Sequence, residues 1–111
     1  MQLAGKRALV TGSSRGVGAA TVLRLAELGA SVIVNYLNEK TRADEVVQQA
    51  EMFGVTAKPV QAEVGKDQDA RQLVKETVEA LGGLDILVNN AAITRFIDFP
   101  DLDDATDEAW A

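Results

Sequence analysis

The chain holds a single tyrosine, Tyr36, and Lys40 follows it four positions later. On a helix, that spacing puts a phenol and an ammonium group on one face. The hydroxyl can then protonate a carbonyl oxygen while the cation steadies the phenolate. In "NYLNEK", however, the tyrosine closes an apolar run and opens a turn, so spacing alone does not make it an acid. The second stretch with chemical promise is "TGSSRGVG", residues 11–18. Here Gly12 permits a sharp turn, Gly16 lets backbone approach a phosphate with no side chain in the way, and Gly18 lets a helix pack closely on a strand. The helix start then offers free N–H groups and the positive end of its dipole to a pyrophosphate. Glycines also mark ordinary turns. This trio carries weight because a strand pattern precedes it and a helix pattern comes after.

Composition closes off other chemistries. Cysteine and histidine are both absent, which removes disulfides, thiol nucleophiles, the usual zinc sites and any Ser-His or Cys-His mechanism. No metal site is expected. The net charge is −6, and five of the acidic residues (Asp101, Asp103, Asp104, Asp107 and Glu108) lie in the last eleven positions. The preceding hundred residues carry eleven basic against twelve acidic groups, so no basic stripe is available for nucleic acid. The acidic run reads as a solvated segment. No apolar run is long enough for a membrane span, and "MQLAGKRALV" has no signal-peptide pattern. A reducing cytoplasm and a single domain over residues 1–111 are expected.

The elements that must position these residues alternate regularly. "RALVTG" is a short apolar run stopped by glycine, a buried strand. "VGAATVLRLAEL" is a helix with one narrow polar stripe of Thr21, Arg24 and Glu27, stopped by Gly29. "SVIVNY" is the second strand, and "KTRADEVVQQAEMFG" a helix with Ala43, Val46, Val47, Ala50 and Phe53 on one face. "KPVQAEV" is the third strand. "DQDARQLVKETVEALGG" is a helix with Asp67 as its N-cap and Ala70, Leu73, Val74, Val78 and Leu81 facing inward. "DILVNNA" is the fourth strand.

Alternating strands and helices imply parallel strands joined by right-handed crossovers. The fold class is therefore α/β, a Rossmann-type parallel sheet of four strands in the order 3-2-1-4, the amino-terminal half of a doubly wound domain. The ligand crevice falls where that order reverses, between "TGSSRGVG" and "NNAA".

With those motifs in place, the sequence resembles the amino-terminal part of a short-chain dehydrogenase/reductase, most closely the 3-oxoacyl-carrier-protein reductase-like branch. The family's signatures are TGxxxGxG after strand one and NNAG after strand four. The likeness runs from about residue 5 through "VIVNY" and "GGLDILVNNAAITRF" to "TDEAW". It implies a nicotinamide dinucleotide as cofactor and, usually, a tetramer. By resemblance, Gly12, Ser14, Arg15, Gly16, Val17 and Gly18 form the phosphate and ribose loop. Asn90 and Ala91 lie by the nicotinamide-side ribose, and Asn89 braces the sheet. Two departures stand out. Ala92 replaces the family's glycine, adding a methyl group near the cofactor. Glu63 replaces the aspartate that meets the adenine, which leaves Val64 to make its backbone contact.

Cofactor choice can be argued from strand two. NAD-specific sites place a carboxylate at its end to accept from the ribose 2′-hydroxyl. Here Asn35, Tyr36, Leu37 and Asn38 stand there, and the first carboxylate is Glu39. A 2′-phosphate is expected to meet no repulsion, and Arg15 to bond it, so NADP(H) is favoured over NAD(H). The alternative for Arg15 is a solvated loop arginine.

The resemblance also answers the opening pair. The family's catalytic serine, tyrosine and lysine come after the NNAG strand, whereas Tyr36 lies on the adenosine side and is expected to line the ribose pocket or pack locally. No catalytic residue is assigned. The expectation is the NADP(H)-binding part of an oxidoreductase, truncated before its catalytic residues and inactive alone. The alternative is a non-catalytic nucleotide-binding or assembly subunit that pairs with another chain. Either way, "DILV" would be an apolar edge strand, with Asp85 its only charge, so a homo-oligomer or a complementing chain is expected.

Overall fold

A computed structural model of the chain describes residues 2–90. Ala91, Ala92 and the acidic run lie outside the described residues. Seven elements occur in order: β1 (Arg7–Val10), α1 (Gly16–Glu27), β2 (Ser31–Tyr36), α2 (Lys40–Glu51), β3 (Ala57–Gln61), α3 (Asp67–Leu81) and β4 (Ile86–Val88). All strand pairings are parallel, and the sheet order is β3-β2-β1-β4. The register sets Val10 opposite Val34 and Val88, so β1 and β4 end level at the crevice while β2 runs two residues further, to Tyr36.

The two central strands explain the apolar runs. Alternate side chains point to opposite faces. Ala8, Val10, Val32 and Val34 enter one buried cluster with Val22 and Ala26 of α1 and Ala43, Val46, Val47 and Ala50 of α2. Leu9 and Ile33 point the other way and meet Leu73 of α3 and Ala62. Both sheet faces are covered at β1 and β2, so neither strand needs a polar face. Fully burying Leu9 or Ile33 contributes about 1.5–3 kcal/mol each.

The peripheral elements differ from the sequence reading. β3 is shorter, ending at Gln61, and Pro59 sits at its centre opposite Val34. Among the described residues β3 has one neighbour, so a missing N–H there is tolerated. Phe53 lies beyond α2 and is exposed rather than inward-facing. Lys66, not Asp67, holds the N-cap position of α3 and makes no side-chain cap bond, while Asp67 pairs with Arg71 at 3.0 Å. On α3 the buried residues are Leu73 and Thr77, whereas Val74 and Val78 are 38% and 43% exposed. Helical periodicity found the apolar stripe. It could not say that the sheet beneath α3 reaches only part of that stripe.

Asp85 takes a different part from edge guard. Its carboxylate accepts from the Arg7 backbone N–H at 2.9 Å and from Arg7 Nε at 2.8 Å, and its own N–H donates to the Arg7 carbonyl at 2.8 Å. Arg7 Nη1 also donates to the Gly82 carbonyl that ends α3. The pair thus staples the β4 entrance to β1, and Asp85's carboxyl is held below its usual range by hydrogen bonds from Arg7. Among the described residues, no helix is long and apolar enough to cross a membrane.

Candidate functional site

The β1–α1 turn is built as the glycine spacing requires. Gly12 and Gly16 have φ of +58° and +61°, a region that costs other L-residues roughly 1–2 kcal/mol. Gly18 has an ordinary backbone but no room. A Cβ there would collide with the Gly12 carbonyl oxygen and lie 2.9 Å from Ser13 Cα. By contrast, a Cβ on Gly16 would meet nothing within 4 Å. So Gly16 leaves open space in front of the backbone, while Gly18 fits the helix against the turn.

α1 begins at Gly16 with no acidic residue in its first turn, and Arg15 at the N-cap makes no side-chain cap bond. The Ala19 N–H donates to the Arg15 carbonyl at 3.2 Å. The earlier amides of the turn stand at the helix's positive end, where an anion is favoured. Around this turn lies a cleft of about 550 Å³ lined by Gly12, Ser14, Arg15, Gly16, Val17, Tyr36, Leu37, Asn38, Glu39 and Asn90. Val17, 72% exposed, sits at its wall. The structure therefore brings the glycine loop, Tyr36 and Asn90 together. Gly18 stands behind them as a packing residue.

An adjoining cavity of about 410 Å³ is lined by Gly12, Leu37, Glu63, Val64 and Asn89, together with Leu9, Leu73 and Val74. Glu63 and Val64 fall on this apolar pocket. The Glu63 carboxylate pairs with Lys66 at 3.1 Å, and its N–H donates to Asp69 Oδ2 at 3.1 Å.

Sequence reading missed the residue that holds the crevice in shape. Asn35 is buried, and its Oδ1 accepts the Gly12 N–H at 2.9 Å. Its Nδ2 donates to the carbonyls of Val60 (3.2 Å) and Ala62 (3.3 Å). Ser13 completes the clasp. Its Oγ donates to the Val10 carbonyl and accepts the Asn35 N–H, and its own N–H donates to the Asn35 carbonyl. One polar residue inside "SVIVNY" was the available signal, since an amide at a buried strand end must find partners. From the β4 side, Asn90 Nδ2 donates to the Gly12 carbonyl at 3.1 Å, and the Thr11 hydroxyl donates to Asn89 Oδ1 at 3.2 Å.

Two expected features look different in place. Lys40 donates to Asp44 at 3.0 Å on the exposed face of α2, and its pKa is raised chiefly by that hydrogen bond. Tyr36 closes β2 at the cleft, so the two residues lie on different elements rather than on one helix turn. Arg15 is not an uncommitted cation. Its Nη1 pairs with Glu39 Oε1 at 3.1 Å, and Arg42 Nε pairs with Glu39 Oε2 at 2.9 Å. The expectation of a ribose end free of negative charge is corrected: Glu39 folds back from the start of α2 into the cleft.

A nicotinamide dinucleotide fits this donor set. A pyrophosphate would meet the open backbone at Gly16 and the free amides at the start of α1.

A 3-2-1-4 parallel sheet with a glycine turn at its switch point defines a Rossmann-type α/β architecture. The chain belongs to the short chain dehydrogenase family, whose model matches residues 6–110. It is 46% identical over 90 residues to the 3-oxoacyl-acyl-carrier-protein reductase FabG of Staphylococcus epidermidis, covering 81% of this chain and 37% of that protein. It is 42% identical over 108 residues to the short-chain dehydrogenase/reductase homolog YusS of Bacillus subtilis, covering 97% of this chain and 99% of YusS. Among solved structures, a short chain dehydrogenase from Burkholderia cenocepacia in complex with NADP superposes with a TM-score of 0.78 at 48% identity. That match covers 80% of this chain and 36% of the other. The chain thus spans little more than a third of the FabG and Burkholderia proteins.

Proposed function

We propose that these 111 residues are the NADP(H)-binding part of a carbonyl or alcohol oxidoreductase of the short-chain type. The observation that carries this reading is the Gly12–Gly18 turn. Its two left-handed glycines and its one position without room for a Cβ lie at the open N-terminus of α1. Gly12, Ser14, Gly16, Val17 and the α1 amides hold the pyrophosphate. Tyr36, Glu63 and Val64 border the adenosine, Arg15 meets the 2′-phosphate, and Asn90 borders the nicotinamide side. NADP(H) is preferred because Arg15 lines the cleft and Arg42 offsets the charge of Glu39 from its other carboxylate oxygen.

Bound there, a reduced nicotinamide supplies hydride to a carbonyl carbon. The chain's own part is to bind and orient the dinucleotide. No tyrosine occurs after Tyr36, no serine after Ser31 and no lysine after Lys75. Beyond Lys75 the sequence therefore offers no tyrosine, serine or lysine to protonate the product alkoxide. Losing a general acid lowers rates by about 10²–10⁴-fold.

The test is titration of NADPH and NADH into the purified chain, monitored by nicotinamide fluorescence. NADPH is expected to bind more tightly than NADH. Equal affinity removes the Arg15 argument, and binding of neither removes the reading.

A second reading has its own support, because YusS has nearly the same extent as this chain. In that case the chain is a non-catalytic nucleotide-binding or assembly subunit. Recovery of reductase activity on mixing with a separate carboxyl-terminal half of FabG favours the first reading. A stable complex without activity favours the second.

A further inference from the structure

We propose that Glu39 sets how strongly the site discriminates between 2′-phosphorylated and unphosphorylated dinucleotides, by occupying the place between Arg15 and Arg42 that the phosphate would take. This rests on the nucleotide reading above and adds to it a residue that works against the Arg15 preference.

The geometry is that of a bridge. Glu39 Oε1 reaches Arg15 Nη1 at 3.1 Å and Oε2 reaches Arg42 Nε at 2.9 Å. Each carboxylate oxygen therefore holds a different guanidinium, one on the glycine turn and one on α2. Glu39 occupies the N-cap position of α2, where a carboxylate would ordinarily accept helix N–H groups, yet it makes no cap bond. Its side chain is given over to the two arginines, and it lines the same cleft as Ser14, Gly16 and Tyr36.

Charge decides the outcome when a nucleotide enters. Two guanidiniums and one carboxylate leave a net charge of +1. A phosphate monoester carries about −1.5 to −2 at neutral pH. Placing it beside an unmoved carboxylate would crowd two anions against two cations. The carboxylate must leave, and it can, because no cap bond holds it and both ion pairs are solvent-facing. An unphosphorylated ribose makes no such demand. Its 2′-hydroxyl can donate to Glu39 where the carboxylate already stands, as to an acidic residue in NAD sites. Displacing Glu39 therefore weighs against NADP(H) alone. Exposed ion pairs are individually weak, so releasing both corresponds to roughly a tenfold change in affinity.

The experiment measures dissociation constants of NADPH and NADH for the full chain, its E39Q variant and the E39Q/R42A variant. Adenosine 2′,5′-bisphosphate and 5′-AMP serve as probes of the ribose end alone. Glutamine keeps an acceptor for the hydroxyl but no charge. E39Q is expected to tighten NADPH and the bisphosphate about tenfold while NADH and AMP change less than about threefold. Adding R42A should return part of that gain, since the freed guanidinium is its source. An E39Q ratio within about twofold of the parent, with both dinucleotides still bound, overturns the role of Glu39 and leaves the nucleotide reading standing. Weaker NADPH binding in E39Q also overturns it, showing that Glu39 orients Arg15 instead. If the parent chain binds neither dinucleotide, both readings fall.

Discussion

The Oδ1 of Asn35 accepts the backbone N–H of Gly12 at 2.9 Å, so the end of β2 holds the glycine turn by its first amide. The same side chain reaches the carbonyls of Val60 and Ala62. One buried amide thus sets the spacing of three strand ends along the cleft floor.

Asn35→Ala removes all three of those bonds and leaves Gly12 N–H and two carbonyls short of a partner. Each such orphan costs about 1–3 kcal/mol where water cannot replace the bond. The expected loss is about 2–4 kcal/mol in urea unfolding, with NADPH affinity reduced as the turn loosens. A loss below about 0.5 kcal/mol, the range of ordinary surface substitutions, would show that the clasp is dispensable.

Gly16→Ala and Gly18→Ala should separate conformation from room. At Gly18 the added methyl strikes the Gly12 carbonyl and Ser13 backbone, an overpacking expected to cost about 1–3 kcal/mol and to displace the turn. At Gly16 the methyl meets open space but must adopt φ of +61°. There the stability loss should be the smaller, about 1–2 kcal/mol, while nucleotide binding suffers directly because Gly16 lines the cleft. Paired denaturant and titration curves distinguish the two, and equal effects on both readouts would contradict the division.

The Arg7–Asp85 staple predicts part of the acid sensitivity. Asp85's folded pKa lies below its ordinary 3.8, first through the side-chain hydrogen bond from Arg7. A carboxyl with a depressed folded pKa binds fewer protons folded than unfolded. Its contribution is complete above about pH 4 and fades as pH falls through the lower folded value. Asp85→Asn should therefore lower stability at about pH 7 and flatten the stability profile below about pH 4. An unchanged acid limb in D85N would place that sensitivity elsewhere.

The chain alone is expected to reduce no carbonyl substrate above background, and Tyr36→Phe should leave that result unchanged. Lys40's ammonium is engaged with Asp44 rather than aimed with Tyr36 at a common carbonyl. Turnover of NADPH by the parent chain that vanishes in Y36F would make Tyr36 the acid after all.

Self-association is expected through the β4 side. Among the described residues β4 pairs with β1 alone, Leu87 is 48% exposed, and Val74 and Val78 lie on the outer side of α3. Burying such side chains contributes about 1.5–3 kcal/mol each. Sedimentation should show a dimer or larger species that Leu87→Lys weakens. A folded, cooperative monomer at high concentration would refute this.

The sequence by itself determined the order of elements, the parallel 3-2-1-4 sheet and the place of the glycine turn. These come from local rules: apolar runs with glycine stops make buried strands, and a glycine trio between strand and helix has few other uses. Tertiary structure decided where charges and amides point. Glu39 reaches Arg42 through the local i,i+3 spacing of α2, but it meets Arg15 only because α2 begins beside the β1–α1 turn. Asp85 finds Arg7 across 78 positions, and Asn35 finds Gly12 across 23. The same holds for Val74 and Val78, whose helical period marks an apolar stripe without saying how far the sheet extends beneath it. Periodicity is a property of neighbours along the chain, whereas an ion pair or a covered face depends on which distant backbone the fold brings within a few ångströms.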